Sequence, residues 1–351
     1  MKKIVGTIAA IALAASSAFA GVGIGGWGRG IWAPVAGNGT DVIGFSGPSW
    51  AWDFVQGPRV GISIHAESEN VGFNIDMNGD KNGIGAGDTQ FIWVKPWSFL
   101  ELQVGKVQDN TLRGDGCFGA FNWLRNSKMA GMGEDLTFTR LGNGEASQVM
   151  GAIVKVTPVD GLLIEAALKA DGSKVEDIFK VGQYAAGYDI AGVGLIRAQY
   201  IGATKTVNAA FDLKAVDGLA LSVGAFIPTE SGKTMDINAY AAYGFGMVKA
   251  HALVAVGITD SKADITAGVG ADFDFGNGIG ATADVRFNTA NDANSISFLA
   301  GVTKGFSNGL IGLGFQGVTQ SEAGAAGKYD FLIDGDSTFA WQIPVRVEYW
   351  F

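Results

Sequence analysis

Apolar and polar residues alternate along the last segment of the chain, from Thr338 to Phe351. One set of alternate positions is entirely apolar and contains Phe339, Trp341, Ile343, Val345, Val347, Tyr349 and Phe351. The other set is mostly polar. Because successive side chains of a β-strand point to opposite faces, this period of two predicts a strand with one apolar face. Aromatic residues at both ends of that face are typical of strands that end at membrane–water interfaces.

The same alternation recurs through the second half of the chain, in the segments 207–213, 235–243, 248–258, 263–275 and 279–287. Repeated alternating segments of about ten residues are the expected signature of a transmembrane β-barrel. The alternation cannot be phased around Thr89 and Asp177.

The connectors between these segments differ in length. Short ones with turn residues are predicted at 68–70, 96–98, 158–161, 191–192, 216–218, 244–246, 276–278 and 307–309. Longer ones are predicted at 34–56, 78–88, 109–146, 288–294 and 319–337. Asp-Gly and Asn-Gly pairs supply the positive φ that tight hairpins require. Counting the hairpins gives about 18 strands, with 16 fitting nearly as well, and a barrel of either size encloses an aqueous channel.

The pattern therefore predicts an all-β fold: a transmembrane, antiparallel, up-and-down β-barrel. The composition favours a transmembrane barrel over a soluble β-sandwich. Apolar residues make up 48% of the chain and 54 of its 351 residues are glycine, yet no apolar run of membrane-helix length follows the N-terminal segment. Small residues on both faces suit a thin wall against lipid, whereas a sandwich core would hold larger ones.

The N-terminus has the pattern of a secretory signal peptide. Lys2 and Lys3 precede an apolar stretch from Ile4 to Ala15, and an Ala-x-Ala sequence ends at Ala20. The apolar stretch is shorter than the roughly 20 residues of a membrane helix. We expect cleavage between Ala20 and Gly21, which leaves 21–351 as one barrel domain.

Charge and residue counts exclude several functions. Removing Lys2 and Lys3 lowers the 25 basic residues to 23 against 34 acidic ones, so the net charge changes from −9 to −11. Nucleic acid is not an expected partner, because binding phosphates needs a basic surface. Cys117 is the only cysteine and there are two histidines. We expect no disulfide, no cofactor and no metal. Asp264, Asp272 and Asp274 are not expected to hold a divalent cation, because even i and i+2 side chains of one strand stand about 7 Å apart.

The alternation also predicts which charged residues face the lumen. The basic ones are Arg59, Lys169, Arg197, Arg286 and Arg346, and the acidic ones are Glu101, Glu165, Asp212, Asp236, Asp264, Asp272, Asp274 and Asp284. Since the acidic residues outnumber the basic ones, the pattern predicts a weak preference for cations.

The C-terminal strand resembles the last strand of bacterial outer-membrane proteins, which ends in Phe with aromatic or apolar residues at alternate positions before it. The resemblance implies that Val347, Tyr349 and Phe351 form a signal read by the barrel-assembly machinery. It also implies location in the lipid of the bacterial outer membrane, after export through the inner membrane.

The longest internal connector, 109–146, follows the fifth predicted strand, and Leu102-Gln103-Val104-Gly105-Lys106 before it is similar to the strand preceding the third external loop of porins. The resemblance implies a porin whose third loop folds inward as a constriction. Its charged residues would be Arg113, Asp115, Arg125, Lys128, Glu134, Asp135 and Arg140. A homotrimer is expected from the resemblance alone. The chain lacks the Pro-Glu-Phe-Gly-Gly motif of enterobacterial porins, and its Gly- and Trp-rich start favours a distant phylum such as spirochaetes.

These observations predict a porin for passive diffusion of small polar solutes and ions. One alternative is a sugar-specific pore, for which Tyr240 and Trp350 are candidate stacking residues. Another is a surface antigen or adhesin barrel with little conductance. An enzyme is disfavoured because no serine can be assigned to His65 or His251 as a catalytic pair.

Overall fold

Antiparallel strands pair with their neighbours in chain order and form a closed ring in the computed structural model of the protein. The structure describes residues 21–37, 42–46, 59–80, 83–109, 111–112, 149–170, 174–289, 294–319 and 339–351. The predicted all-β antiparallel barrel is confirmed.

Within the described residues, the first half of the chain contains ten strands and one helix. Its strands are β1 (Val22–Gly37), β2 (Val42–Ser46), β3 (Arg59–Glu67), β4 (Val71–Asp80), β5 (Gly83–Trp97), β6 (Leu100–Val107), β7 (Val149–Val156), β8 (Leu162–Lys169), β9 (Gln183–Ile190) and β10 (Gly194–Ile201). The helix α1 (Val175–Val181) lies between β8 and β9.

The second half is a continuous meander of nine strands. They are β11 (Thr206–Leu213), β12 (Leu219–Pro228), β13 (Met235–Phe245), β14 (Val248–Thr259), β15 (Lys262–Asp274), β16 (Ile279–Asn288), β17 (Ser295–Phe306), β18 (Gly309–Thr319) and β19 (Phe339–Trp350).

Strand β1 closes the barrel. One of its edges pairs with β19, and its other edge pairs with β3 over Val22–Arg29 and with β2 beyond Ala33. Because β2 and β3 follow one another along the same edge, the nineteen segments make a barrel of 18 strands. The count of 18 is therefore confirmed over 16.

All eight predicted short connectors lie at one end of the barrel, together with the start of β1 and the end of β19. At the end of β19, the chain is joined to β1 by two backbone hydrogen bonds: Gly26 N–H donates to Phe351 O over 3.1 Å, and Phe351 N–H donates to Gly26 O over 2.9 Å. The turn Gly276-Asn277-Gly278 shows why such sequences are needed there. All three residues have positive φ, between 53° and 78°, a conformation that is costly for most side chains.

Two predicted loop boundaries are wrong. Strand β1 continues through Pro34 to Gly37, since the register with β19 shifts between Trp32 and Val35 and accommodates the proline at that irregularity. The predicted loop 78–88 is mostly strand, because β4 runs to Asp80 and β5 begins at Gly83. Backbone pairing there overrides the turn preference of Gly and Asn.

The two places where the alternation could not be phased have physical explanations. Asp177 lies in α1, where the side-chain period is not two. Thr89 lies beside an irregularity of the β4–β5 pairing, which shifts register between Ile75 and Met77. Between these two pairs β4 advances two residues and β5 advances four, so two extra residues of β5 interrupt the regular pairing beside Thr89.

Aromatic residues stack near both ends of the wall. At the short-turn end, Trp97–Phe99, Phe273–Phe275 and Tyr349–Phe351 have ring centroids 6.0, 6.2 and 6.1 Å apart. At the opposite end, Phe298–Phe315 and Phe315–Trp341 are 5.8 and 5.9 Å apart. Two such bands are typical of interfacial girdles. Among the described residues there is no helix of a length and apolarity suited to crossing a bilayer.

Candidate functional site: the inner wall and the start of the long loop

Burial of side chains is inverted relative to a water-soluble protein. On β16, Thr282, Asp284 and Arg286 are buried on the inner face, while Val285 and Phe287 are exposed on the outer face. On the other strands too, polar side chains are buried on the inner face and apolar side chains are exposed on the outer face. The other buried polar side chains include Gln103, Glu165, Gln199, Asn208, Ser222, Asn238, Thr266, Ser297, Gln316 and Gln342. The wall is therefore polar inside and apolar outside, as a barrel in lipid requires.

The structure places the predicted lumen residues on the inner face. Arg197, Asp284, Arg286 and Arg346 are buried there. Glu165 is buried there as well. The others lie on the same face by strand alternation and are less buried: Glu101, Lys169, Asp212, Asp236, Asp264, Asp272 and Asp274. The backbone of Arg59 pairs with Arg29, but its side chain is outside the described part of the structure.

One charged group lies on β14, β15 and β16. The His251 imidazole has Nε2 at 3.5 Å from Asp284 Oδ2 and Nδ1 at 3.9 Å from Asp272 Oδ2. Arg286 holds Asp284 through two hydrogen bonds of 3.2 Å, and Thr282 Oγ1 donates to Asp272 over 2.7 Å. This part of the wall therefore presents carboxylates that are already oriented by neighbouring donors.

A second charged group lies at the β1–β19 junction. Arg29 Nε is 2.5 Å from Glu348 Oε1, and Arg346 pairs with the same carboxylate. Two guanidinium groups share one carboxylate, so this part of the wall carries a net positive charge. The acidic and basic groups thus occupy different sectors of the lumen.

The long connector after β6 starts inside the barrel. Asp109 forms an ion pair with Lys155 of β7, whose ammonium is also 4.0 Å from Glu101 and 3.9 Å from Glu165. Lys155 pairs in register with Glu101 near the short-turn end of β6. Asp109 follows the opposite end of β6, so the chain must turn back down the lumen after Val107 to reach this lysine.

Three residues further, Leu112 rests on the inner wall. It is 4% exposed and packs with Val107, Ile153, Ala167 and Ala185, a group called here the inner apolar patch. Gly187 leaves room for it, because a Cβ at that position would lie 2.4 Å from Leu112 Cδ2. Apolar residues on the inner face of a polar wall are stabilised only when something covers them, and Leu112 does so.

Arg197 holds Leu112 against the inner apolar patch. Its Nη1 donates to the Leu112 carbonyl over 2.7 Å, and its Nη2 lies 2.6 Å from Asp212 Oδ2. Ser222 also donates to Asp212. Asp109 and Leu112 therefore contact the inner wall from β6 to β10. The seven predicted constriction residues, from Arg113 to Arg140, and Cys117 lie outside the described residues.

Sequence reasoning missed Arg29, Lys155 and Leu112. Arg29 lies in a glycine-rich segment where apolar periodicity is weak, although its alternation with Trp27 could have placed both on one face. Lys155 could have been found from the alternation of 149–156. No local signal identifies Leu112, because its partners come from five strands, β6 to β10. Within the described ranges, no group of three His, Cys, Asp or Glu side chains could hold a metal ion.

Solved structures with similar folds are porins. An engineered mutant of the porin of Rhodopseudomonas blastica aligns with 94% of this chain and 100% of its own, with a TM-score of 0.53 and 16% identity. OmpF of Salmonella typhi, solved in complex with daunomycin, aligns with 94% of this chain and 97% of its own, with a TM-score of 0.52 and 11% identity. No protein-family profile and no curated protein sequence matches the chain.

The closed antiparallel barrel, the polar inner wall and these alignments define the class: the chain has a porin-type β-barrel fold. At such low identity the likeness concerns the fold, and the activity is argued below from the residues of this chain.

Proposed function

We propose that the mature protein, 21–351, is a bacterial outer-membrane porin that passes small polar solutes and ions by passive diffusion. The observation that supports this most directly is the inverted wall: a closed ring of strands with polar side chains inside and apolar ones outside. Such a wall replaces the hydrocarbon barrier with a hydrated path. No step of bond making is needed for this function, so an enzyme is not proposed.

The proposal includes a constriction formed by the loop 109–146. The support is the position of its first residues, since Asp109 and Leu112 lie against the inner wall rather than outside the barrel. A loop that starts inside a wide barrel narrows it. We propose that the charged residues from Arg113 to Arg140 face the remaining opening.

Three further features are kept as proposals. Val347, Tyr349 and Phe351 all lie exposed on the outer face, where the barrel-assembly machinery could read them before closure of the β1–β19 pair. Assembly as a homotrimer in the outer membrane rests on the resemblances noted from the sequence, and removal of residues 1–20 rests on the signal-peptide pattern of the N-terminus.

The first prediction concerns conductance. Mature protein refolded in detergent and inserted into a planar lipid bilayer should produce large, persistently open current steps in KCl, because polar and charged side chains lie on the inner face of strands around the whole barrel. Single-channel recording measures this. A β-rich, heat-modifiable preparation that inserts but carries no current would contradict an open pore and favour a plugged barrel or adhesin.

The second prediction concerns selectivity. Replacing Asp264, Asp272 and Asp274 together by Asn should move the reversal potential in a KCl gradient toward zero from a cation-selective value. The three carboxylates lie on one inner face and contribute negative potential to the lumen. The effect should be largest near 10 mM salt, where the Debye length is about 30 Å.

The matched control is Asp217→Asn, because Asp217 is exposed in a short turn outside the lumen. It removes one charge without changing the inner wall and should leave the reversal potential unchanged. Equal shifts for the triple variant and for Asp217→Asn would show that the inner carboxylates do not determine selectivity.

A further inference from the structure

The helix α1 is amphipathic. It lies at the end of the barrel opposite the short turns, in the connector between β8 and β9. Successive residues of a helix are about 100° apart around its axis, which puts the apolar and the charged residues of α1 on opposite sides. The apolar side holds Val175, Ile178, Phe179 and Val181, and the charged side holds Glu176, Asp177 and Lys180.

The apolar side of α1 is not buried by the rest of the chain. Val175 is 70% exposed, Phe179 is 53% exposed and Val181 is 39% exposed, and no residue of the helix is buried. A helix of seven residues has little stability of its own in water, because most helices are stabilised by packing of an apolar face. The apolar side of α1 therefore needs an apolar environment that the barrel itself does not supply.

The C-terminal end of α1 is fixed to the outer face of the wall. The Tyr184 hydroxyl of β9 donates to the carbonyl of Phe179 over 2.8 Å. Ala185, the next residue in the chain, belongs to the inner apolar patch, so Tyr184 projects outward. Gly202, just after β10, donates its N–H to the Gly182 carbonyl over 2.8 Å. The helix is thus held outside the ring of strands rather than over the lumen.

The helix is also level with aromatic residues of the outer face. Tyr200 of β10 is the register partner of Tyr184 and is exposed on the same face. The stacked rings of Phe298, Phe315 and Trp341 lie at the same end of the barrel. Tyrosine and tryptophan collect where hydrocarbon meets lipid headgroups, because one part of each ring is apolar and the other is polar. This position puts α1 at a membrane–water interface.

We propose that α1 is a lipid anchor of the barrel rim, an inference that rests on the membrane location in the proposed function above. Its apolar side enters the acyl chains of the leaflet at this end of the barrel, and its charged side faces the headgroups and water. The charges of the helix and its N-cap balance, since Lys174 and Lys180 accompany Glu176 and Asp177. Insertion therefore depends on acyl chains and does not need anionic headgroups.

Lipid fits this side of the helix better than a second protein chain does. A helix of this length is about 10 Å long and about 10 Å wide. One side of it offers far less surface than the roughly 800 Å² per partner of a stable protein interface. Acyl chains need no such minimum area. They also cover the adjoining outer face of the wall if the barrel spans a membrane, so the anchor extends a surface that is already in lipid.

The test is fluorescence quenching of the mature protein in phosphatidylcholine nanodiscs, which leave both ends of the barrel open to water. In a Cys117→Ser background, Val175→Cys and Phe179→Cys each carry an environment-sensitive fluorophore. Lipid that is spin-labelled near the headgroup should quench both probes, and aqueous iodide should quench them severalfold less than a probe at Glu176→Cys. The last variant is the matched control, since it lies on the charged side of the same helix.

The two probe positions support one another. Both side chains are exposed, so either variant alone serves if the other fails to fold. Adding phosphatidylglycerol to the nanodiscs should leave the quenching by spin-labelled lipid unchanged. Quenching that appears only with this anionic lipid would overturn insertion into acyl chains and favour binding to headgroups.

A probe at Val285→Cys, in the middle of the outer face, separates this proposal from the proposed function. If lipid spin-labelled deep in the chain quenches that probe while both helix probes are as open to iodide as Glu176→Cys, the anchor alone is overturned. Helix probes shielded from lipid and iodide alike would mean that protein covers them, which also overturns the anchor. No quenching at Val285→Cys would overturn the membrane barrel and the anchor together. Lipid quenching of the helix probes in protein that carries no current would overturn the pore and keep the anchor.

Discussion

Arg197→Met should widen the channel and make its current unsteady. Arg197 donates to the backbone carbonyl of Leu112, 85 positions away in the sequence, and neutralises Asp212. Without this contact, only the inner apolar patch and the Asp109–Lys155 pair hold the start of the loop against the wall. We expect a severalfold higher single-channel conductance with frequent transitions between levels.

The same substitution should destabilise the barrel. Removing one partner of a buried ion pair costs about 3 to 5 kcal/mol, because the remaining charge is left without compensation. Asp212 keeps the Ser222 hydroxyl and is 17% exposed in its side chain, so we expect the lower end of that range. The temperature at which the heat-modifiable band disappears on electrophoresis measures the loss.

Arg346→Met separates these two effects. Arg346 is buried and ion-paired with Glu348 on the inner wall, and none of its contacts in the described part of the structure involves the loop. It should lose stability without gaining conductance. Gly187→Val adds a test that keeps all charges, since its side chain would displace Leu112. Wild-type conductance in both Arg197→Met and Gly187→Val would contradict a loop held at this place.

Val285→Arg should reduce the stability of the barrel in lipid by about 2 to 4 kcal/mol, the cost of an arginine at the bilayer midplane. Val285 is 49% exposed on the outer face and lies in the middle of β16. If the outer face contacts lipid, this substitution forces a charge into hydrocarbon. Urea-dependent folding into lipid vesicles, followed by the electrophoretic shift of folded protein, measures the free energy.

Two control variants test whether the cost of the arginine depends on its depth in the bilayer and on the face of the wall. Ile279→Arg places the charge on the same face at the short-turn end, where the cost should fall to about 0 to 1 kcal/mol. Thr303→Arg places it on the inner face, where water or the polar wall solvates it, and should leave stability nearly unchanged. Equal costs at Val285 and Thr303 would mean that the two faces do not have the assigned environments.

The amino-acid sequence predicted which side of the wall the residues occupy on those strands where the alternation is regular. Alternation alone placed Arg197, Asp284, Arg286 and Arg346 inside, because the side-chain period of a strand is two whatever its neighbours are. Tight turns such as Gly276-Asn277-Gly278 were also predictable, since their positive φ angles select particular residues. Counting these turns gave about 18 strands, with 16 fitting nearly as well, and the closed ring of the structure decided for 18.

Only the tertiary structure shows which residues of the inner wall contact one another. Three contacts join residues that are far apart in the chain: Arg197–Leu112, Lys155–Asp109 and Arg29–Glu348. Alternation predicts the face of the wall on which a side chain lies, but not the residue that it faces on the neighbouring strand. The same limit explains the missed continuation of β1 through Pro34 and the β4–β5 irregularity, where pairing with neighbouring strands overrides local preference. Periodicity is a local property of the chain, whereas register, bulges and the path of a loop depend on closure of the whole ring.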